Sequence, residues 1–109
     1  MEQDQESVIV ARILKGERDA FSLLVEAYKA PIFNLACRMT GTREDADELA
    51  QETFIRAFAN LNKFRADQRF FTWLYTVSLN VVKNHLRRQA LWGKLVATGV
   101  SVPAIHDTG

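Results

Sequence analysis

Thr76, Asn80, Lys83, Asn84 and Arg87 fall at i, i+4, i+7, i+8 and i+11, the spacing of a single helical face. Amide side chains can hydrogen-bond the edges of nucleobases, and lysine and arginine can hold phosphates. Such a stripe offers both halves of nucleic-acid recognition. A charged, solvent-facing stripe is the simpler alternative, but it gives no reason for two asparagines. Five rings, Phe64, Phe70, Phe71, Trp73 and Tyr75, gather just upstream beside Arg65 and Arg69. A core of this size has room for about three of them. The rest are expected to lie exposed, where unpaired bases can stack. Each ring taken singly is a core residue; the combination with basic groups and amides favours a partner.

A second group, Glu48, Gln51, Glu52, Ile55 and Ala59, shares another helical face. Ile55 is an apolar residue ringed by polar ones, which is the anatomy of a protein interface. A solvated helix face accounts for most stripes of this kind. Catalytic chemistry has little to work with. His85 and His106 have no ligand spacing to each other or to the lone Cys37. The acidic residues Glu44, Asp45, Asp47 and Glu48 suit the first turn of a helix, where the dipole favours them, better than a metal site. No phosphate-cradling glycine loop or nucleophile motif is present. The residues predict neither an enzyme nor a bound cofactor or metal.

The elements that must position these groups are helical throughout. No hairpin dipeptide separates alternating apolar runs. A first helix over about 4–15 is expected to turn Val8, Ala11 and Leu14 inward, with Ile9 and Ile13 beside them, and to stop at Gly16. A second runs from near Asp19 to Gly41, with Pro31 predicting a kink or two abutting helices. Thr42 followed by Asp45 marks the start of a third, whose apolar face is Ala46, Ala50, Thr53, Phe54, Ala57, Phe58 and Leu61. Residues 62–69 read as a loop. A fourth helix follows, with Leu74, Val77, Ser78, Val81 and His85 as its buried stripe. After Gln89 three glycines and a proline break the periodicity, so residues 90–109 read as a linker or frayed tail. The expected fold is all-α, a compact bundle of about four helices.

The chain of 109 residues is the size of one small domain. Its net charge of +1 hides a division. Residues 1–60 carry seven Lys/Arg against eleven Asp/Glu, whereas residues 61–109 carry seven against two. The basic half suits a polyanion and the acidic half a different surface, although chance distribution of solvated charge would produce the same totals. With one cysteine, an acidic N-terminus and no long apolar run, the sequence suggests a reducing, cytoplasmic setting.

Three segments, AFSLLVEAYKAPIFNLA, DADELAQETFIRAFANLNKFR and FFTWLYTVSLNVVKNHLRR, in this order and spacing, resemble region 2 of bacterial RNA polymerase sigma factors. The likeness is to the extracytoplasmic-function (ECF) group of the sigma-70 family and covers roughly residues 5–89. It implies a transcription initiation domain that binds core RNA polymerase and recognises and melts the promoter −10 element. Carried over, Asp47, Glu48, Gln51, Glu52, Ile55 and Arg56 would dock on the β′ clamp helices. Lys63, Phe64, Arg65, Ala66, Asp67 and Gln68 would wall a pocket for a flipped base of the non-template strand. Asn80 would read that base or its neighbour, while Lys83, Asn84, Arg87 and Arg88 would hold phosphates. Thr76 stands where the family often has a basic residue, which implies fewer phosphate contacts upstream. The resemblance also implies an anti-sigma factor as a partner. The alternative function is a protein-interaction domain held by such a factor without independent DNA binding. The family's second, −35-binding domain is absent from these 109 residues.

Overall fold

In the computed structural model, which describes residues 1–99, the chain forms four α-helices joined by short turns and two 3₁₀ segments. Helix α1 (Gln3–Leu14) opens on a side-chain cap, with Gln5 Oε1 accepting the Glu2 N–H at 2.9 Å. Its buried face is Glu6, Ile9, Val10 and Ile13, an i, i+3, i+4, i+7 stripe. This corrects the expected face: Val8 and Leu14 point to solvent. The expectation missed it because the true stripe contains a carboxylate. Gly16 takes a positive φ of 115° and ends the first segment, as its position suggested.

Helix α2 (Phe21–Thr40) is one continuous element with Pro31 inside it, not two abutting helices. Leu24, Tyr28, Ile32, Leu35 and Ala36 are buried on both sides of the proline. Tertiary packing of that face outweighs the single donor that proline removes. Gly41, with φ 80°, closes α2 through its N–H to the Cys37 carbonyl at 2.8 Å.

Thr42 then caps helix α3 (Arg43–Ala59), its side chain accepting the Asp45 N–H at 3.3 Å. Ala46, Ala50, Thr53, Phe54 and Ala57 are buried as expected, and small residues let α3 lie close to α2 and α4. Phe58 is 38% exposed and rests edge-on against Phe21 with ring centroids 5.1 Å apart. Leu61 is buried in the 3₁₀ turn Leu61–Lys63 that follows.

Helix α4 spans Phe70–Ala97. Its inner face buries Phe70, Leu74, Ser78, Val81 and Val82, with Val77 and His85 half-buried. Within the segment read as a linker or frayed tail, residues 90–97 continue the helix, and the chain turns out of it at Gly99, with φ 76°. Gly93 misled the reading, because one glycine costs a helix only about 1 kcal/mol and Ala, Leu and Lys around it favour continuation. This last stretch stands away from the bundle, leaving Leu91, Trp92 and Val96 exposed. His106 and the remainder of the expected tail lie outside the described residues.

Candidate functional site

The amide and basic stripe of α4 lies outward along its whole length. Thr76, Asn80, Lys83, Asn84 and Arg87 are all exposed, on the side of the helix away from Leu74, Ser78 and Val82. Asn80 and Asn84 open into a groove between the end of α3 and the middle of α4, shared with Arg56, Asn60, Lys63 and Trp73. Asn60, whose Nδ2 donates to the Arg56 carbonyl at 2.9 Å, lines the same groove. Three amides, a lysine and the edge of an indole therefore converge where an unpaired base or a backbone phosphate could sit. Asn60 carries no periodic or motif signal in the sequence; only the turn after α3 brings it there.

The loop before α4 is more ordered than its composition suggests. Phe64 is 9% exposed and packs against Phe70 and Trp73, with ring centroids 5.6 and 5.5 Å away. Phe71 stacks obliquely on Tyr28 at 4.8 Å and lies 6.1 Å from Tyr75. The expected surplus of exposed rings is thus corrected. Phe64 and Phe70 are buried, while Phe71, Trp73 and Tyr75 are half-buried. Edge-to-face packing fits more rings into a small core than separate burial would. The Phe64 ring, assigned to the base pocket by resemblance, is buried against Phe70 and Trp73 and anchors the loop. Arg65, Ala66 and Asp67 remain at the exposed tip, with Gln68 half-buried. An Arg65–Asp67 ion pair of 3.0 Å and the Gln68 N–H to Arg65 carbonyl bond of 3.2 Å shape that tip.

The centre of this end of the molecule is a residue that the sequence did not single out. Glu6 is 1% exposed and accepts the backbone N–H groups of Phe70 and Phe71 at 3.0 and 3.1 Å. It therefore caps the N-terminus of α4 from another helix. Arg69 Nε donates to Glu6 Oε1 at 2.8 Å, and the Tyr28 hydroxyl donates to Glu6 Oε2. Burial alone would push the Glu6 carboxyl up. The Arg69 guanidinium, the Tyr28 hydroxyl and the two amides outweigh it and hold the group below its ordinary value. Burial and the adjacent carboxylate push the Tyr28 hydroxyl up. The signal that could have revealed Glu6 is its place on the apolar i, i+3, i+4, i+7 stripe of α1. Arg69 is committed to this cluster and not to the exposed α4 stripe.

A second groove lies between the earlier part of α3 and the later part of α4, lined by Glu48, Leu49, Gln51, Glu52, Ile55, His85 and Arg88. Ile55 is 68% exposed at its edge. Asp47, Glu48 and Gln51 are exposed and Glu52 half-buried, so the acidic face predicted around Ile55 is assembled as a surface. Two residues change company. Arg88 lines this groove and not the amide groove. Arg56, paired with Glu52 at 3.1 Å, reaches the amide groove. Among the described residues no group of three or more His, Cys, Asp or Glu could hold a metal, and no helix is long and apolar enough to cross a membrane.

Comparison with known proteins places these surfaces in context. Residues 24–91 match the sigma-70 region 2 family. The chain is 42% identical over 84 residues to the RNA polymerase sigma-H factor of Pseudomonas aeruginosa, covering 77% of this chain and 44% of that protein. It is 40% identical over 88 residues to the ECF sigma-E factor of Escherichia coli K12, covering 81% and 46%. The chain thus spans less than half the length of these relatives. An engineered region 2 of sigmaE, solved in complex with GTAAAA, superposes with a TM-score of 0.73 at 34% identity, covering 83% of this chain and 90% of that one. CnrH, solved in complex with the cytosolic domain of CnrY, superposes with a TM-score of 0.62 at 29% identity, covering 72% and 51%.

Proposed function

Because the chain belongs to the sigma-70 region 2 family and its relatives include ECF factors, we propose that it is the core-binding, −10-recognising domain of an ECF sigma factor. The observation that carries this reading is the exposed α4 stripe, with Asn80 and Asn84 opening beside Lys63 into one groove. Asn80 reads an unpaired base of the non-template strand, and Asn60 and Asn84 border the same space. Lys83 and Arg87 hold backbone phosphates, and Arg65 to Gln68 form the tip that borders the extruded base. Opening a duplex costs stacking and pairing, which a pocket for extruded bases offsets without any chemistry by the protein. Polymerase supplies the catalysis.

The face of α3 around Ile55, with Asp47, Glu48, Gln51 and Glu52, takes the β′ clamp helices, and Arg88 joins it from α4. The two grooves share no lining residue, so polymerase and the melted strand use separate side chains of the same helix pair. The likeness to CnrH supports an anti-sigma factor as a further partner of the same domain. The site of action is cytoplasmic, where the transcription machinery works.

Fluorescence anisotropy with single-stranded GTAAAA and a scrambled oligonucleotide tests the DNA reading. Preferential, salt-sensitive binding of the former is expected, and equal affinity for both would overturn it. Ile55→Arg is expected to abolish capture by a β′ clamp-helix fragment; undiminished capture would mean that another face docks.

A further inference from the structure

We infer that α1 belongs to the recognition device: Glu6 is a positioning residue that holds the loop tip Arg65–Gln68 and the first turn of α4 in strand-reading geometry. The inference rests on the −10 reading proposed above and concerns a helix outside the residues 24–91 that match the family.

Residue 69 occupies the N-cap position of α4, where Ser, Thr, Asp or Asn would satisfy the first amides locally. This chain has Arg69 there, and its side chain makes no capping bond. The acceptor is imported from α1 instead, through Glu6 to the Phe70 and Phe71 amides. A local cap would serve helix stability equally well. A cap drawn from a distant helix does something more, because it fixes where the start of α4 stands relative to the rest of the bundle.

Arg69 extends the same hold to the loop. It is tied to Glu6 at 2.8 Å and, through Nη2, to the Met1 carbonyl at 2.8 Å. Phe64 is seated among rings at the other end of the loop. The segment is therefore clamped at both ends: by apolar packing at Phe64 and by an ion pair at Arg69. Only residues 65–68 project between the clamps. A tip held in place before the strand arrives loses less conformational freedom on binding, so its affinity is higher for the same contacts. Glu6 touches no part of the proposed DNA surface and acts through Arg69 and the α4 amides.

The test compares wild type with Glu6→Gln, which keeps the shape but removes the charge and one acceptor. Tyr28→Phe, which removes one hydrogen bond to Glu6, is a milder second variant should Glu6→Gln not fold. Both are measured at a temperature where circular dichroism shows full helicity. Affinity for single-stranded GTAAAA is expected to fall about tenfold in Glu6→Gln and less in Tyr28→Phe. Capture by the β′ clamp fragment, which uses the groove around Ile55 that none of the Glu6 partners lines, is expected to stay the same. Hydrogen exchange is expected to quicken at the Gln68, Phe70 and Phe71 amides while the α3 core amides keep their protection. Unchanged GTAAAA affinity in a folded variant with faster exchange would reduce Glu6 to a structural cap and overturn the inference. Parallel loss of DNA and clamp binding would do the same, by showing general destabilisation. If wild type itself fails to prefer GTAAAA, the −10 reading falls, an outcome distinct from equal binding by wild type and variant.

Discussion

At the residue scale, the two kinds of side chain on the α4 stripe do different physical work and separate by experiment. Asn80 offers a directed donor and acceptor, so Asn80→Ala should narrow the gap between cognate and scrambled strands by about 1–3 kcal/mol. Lys83 is a point charge that any phosphate satisfies. Lys83→Ala should weaken binding to both strands alike and lower the slope of affinity against salt by about one counterion. Anisotropy titrations at several salt concentrations measure both effects. The identity of these residues, and their sharing of one face, were legible from spacing alone. Asn60 was not, because a turn and not a helix brings it to the groove.

At the element scale, each helix start has its own source of acceptors, and the sources differ in range. The α3 start is local: Thr42 accepts the Asp45 N–H. Thr42→Ala should cost about 1 kcal/mol, read as a lower urea midpoint with an unchanged slope. The local cap of α3 could be read from four consecutive residues. The α4 start depends on Glu6, which lies 64 residues before Phe70 in the chain. No local pattern can signal such a partner. At the far end of α4, three glycines and a proline suggest a break after Gln89, while the helix runs through Gly93 and the chain turns out of it only at Gly99. A glycine ends a helix when it adopts a left-handed conformation, and composition does not say which glycine will.

At the scale of the whole molecule, the Glu6 cluster links α1, α2 and α4, so its protonation bears on global stability. The folded state holds this carboxyl below its ordinary value of 4.5, against the opposing effect of burial. Folded protein therefore takes up that proton less readily than the unfolded chain. The stabilisation is complete above the unfolded carboxyl's range and is lost as pH falls through the lower folded value. Melting temperatures of wild type should drop as the pH falls below the ordinary carboxyl value of 4.5. In Glu6→Gln this part of the profile should be shallower, with a lower plateau at neutral pH. The plateau should be lower by about 3 kcal/mol, the cost of leaving buried partners unmatched. Equal acid slopes for the two proteins would show that other carboxylates carry the transition.

Local pattern is enough to specify that the described residues form helices, where α3 begins, which side of α4 carries amides and basic groups, and which family these motifs resemble. Those properties are periodic or local, and they follow from side chains a few residues apart. Tertiary packing alone settles which face of α1 is buried, how five rings are shared between core and loop anchor, and that Arg88 and Arg56 line different grooves. It alone brought Glu6 to the head of α4. Each of these depends on which helices meet, and burial turns an ordinary carboxylate into the acceptor that two backbone amides and an arginine require.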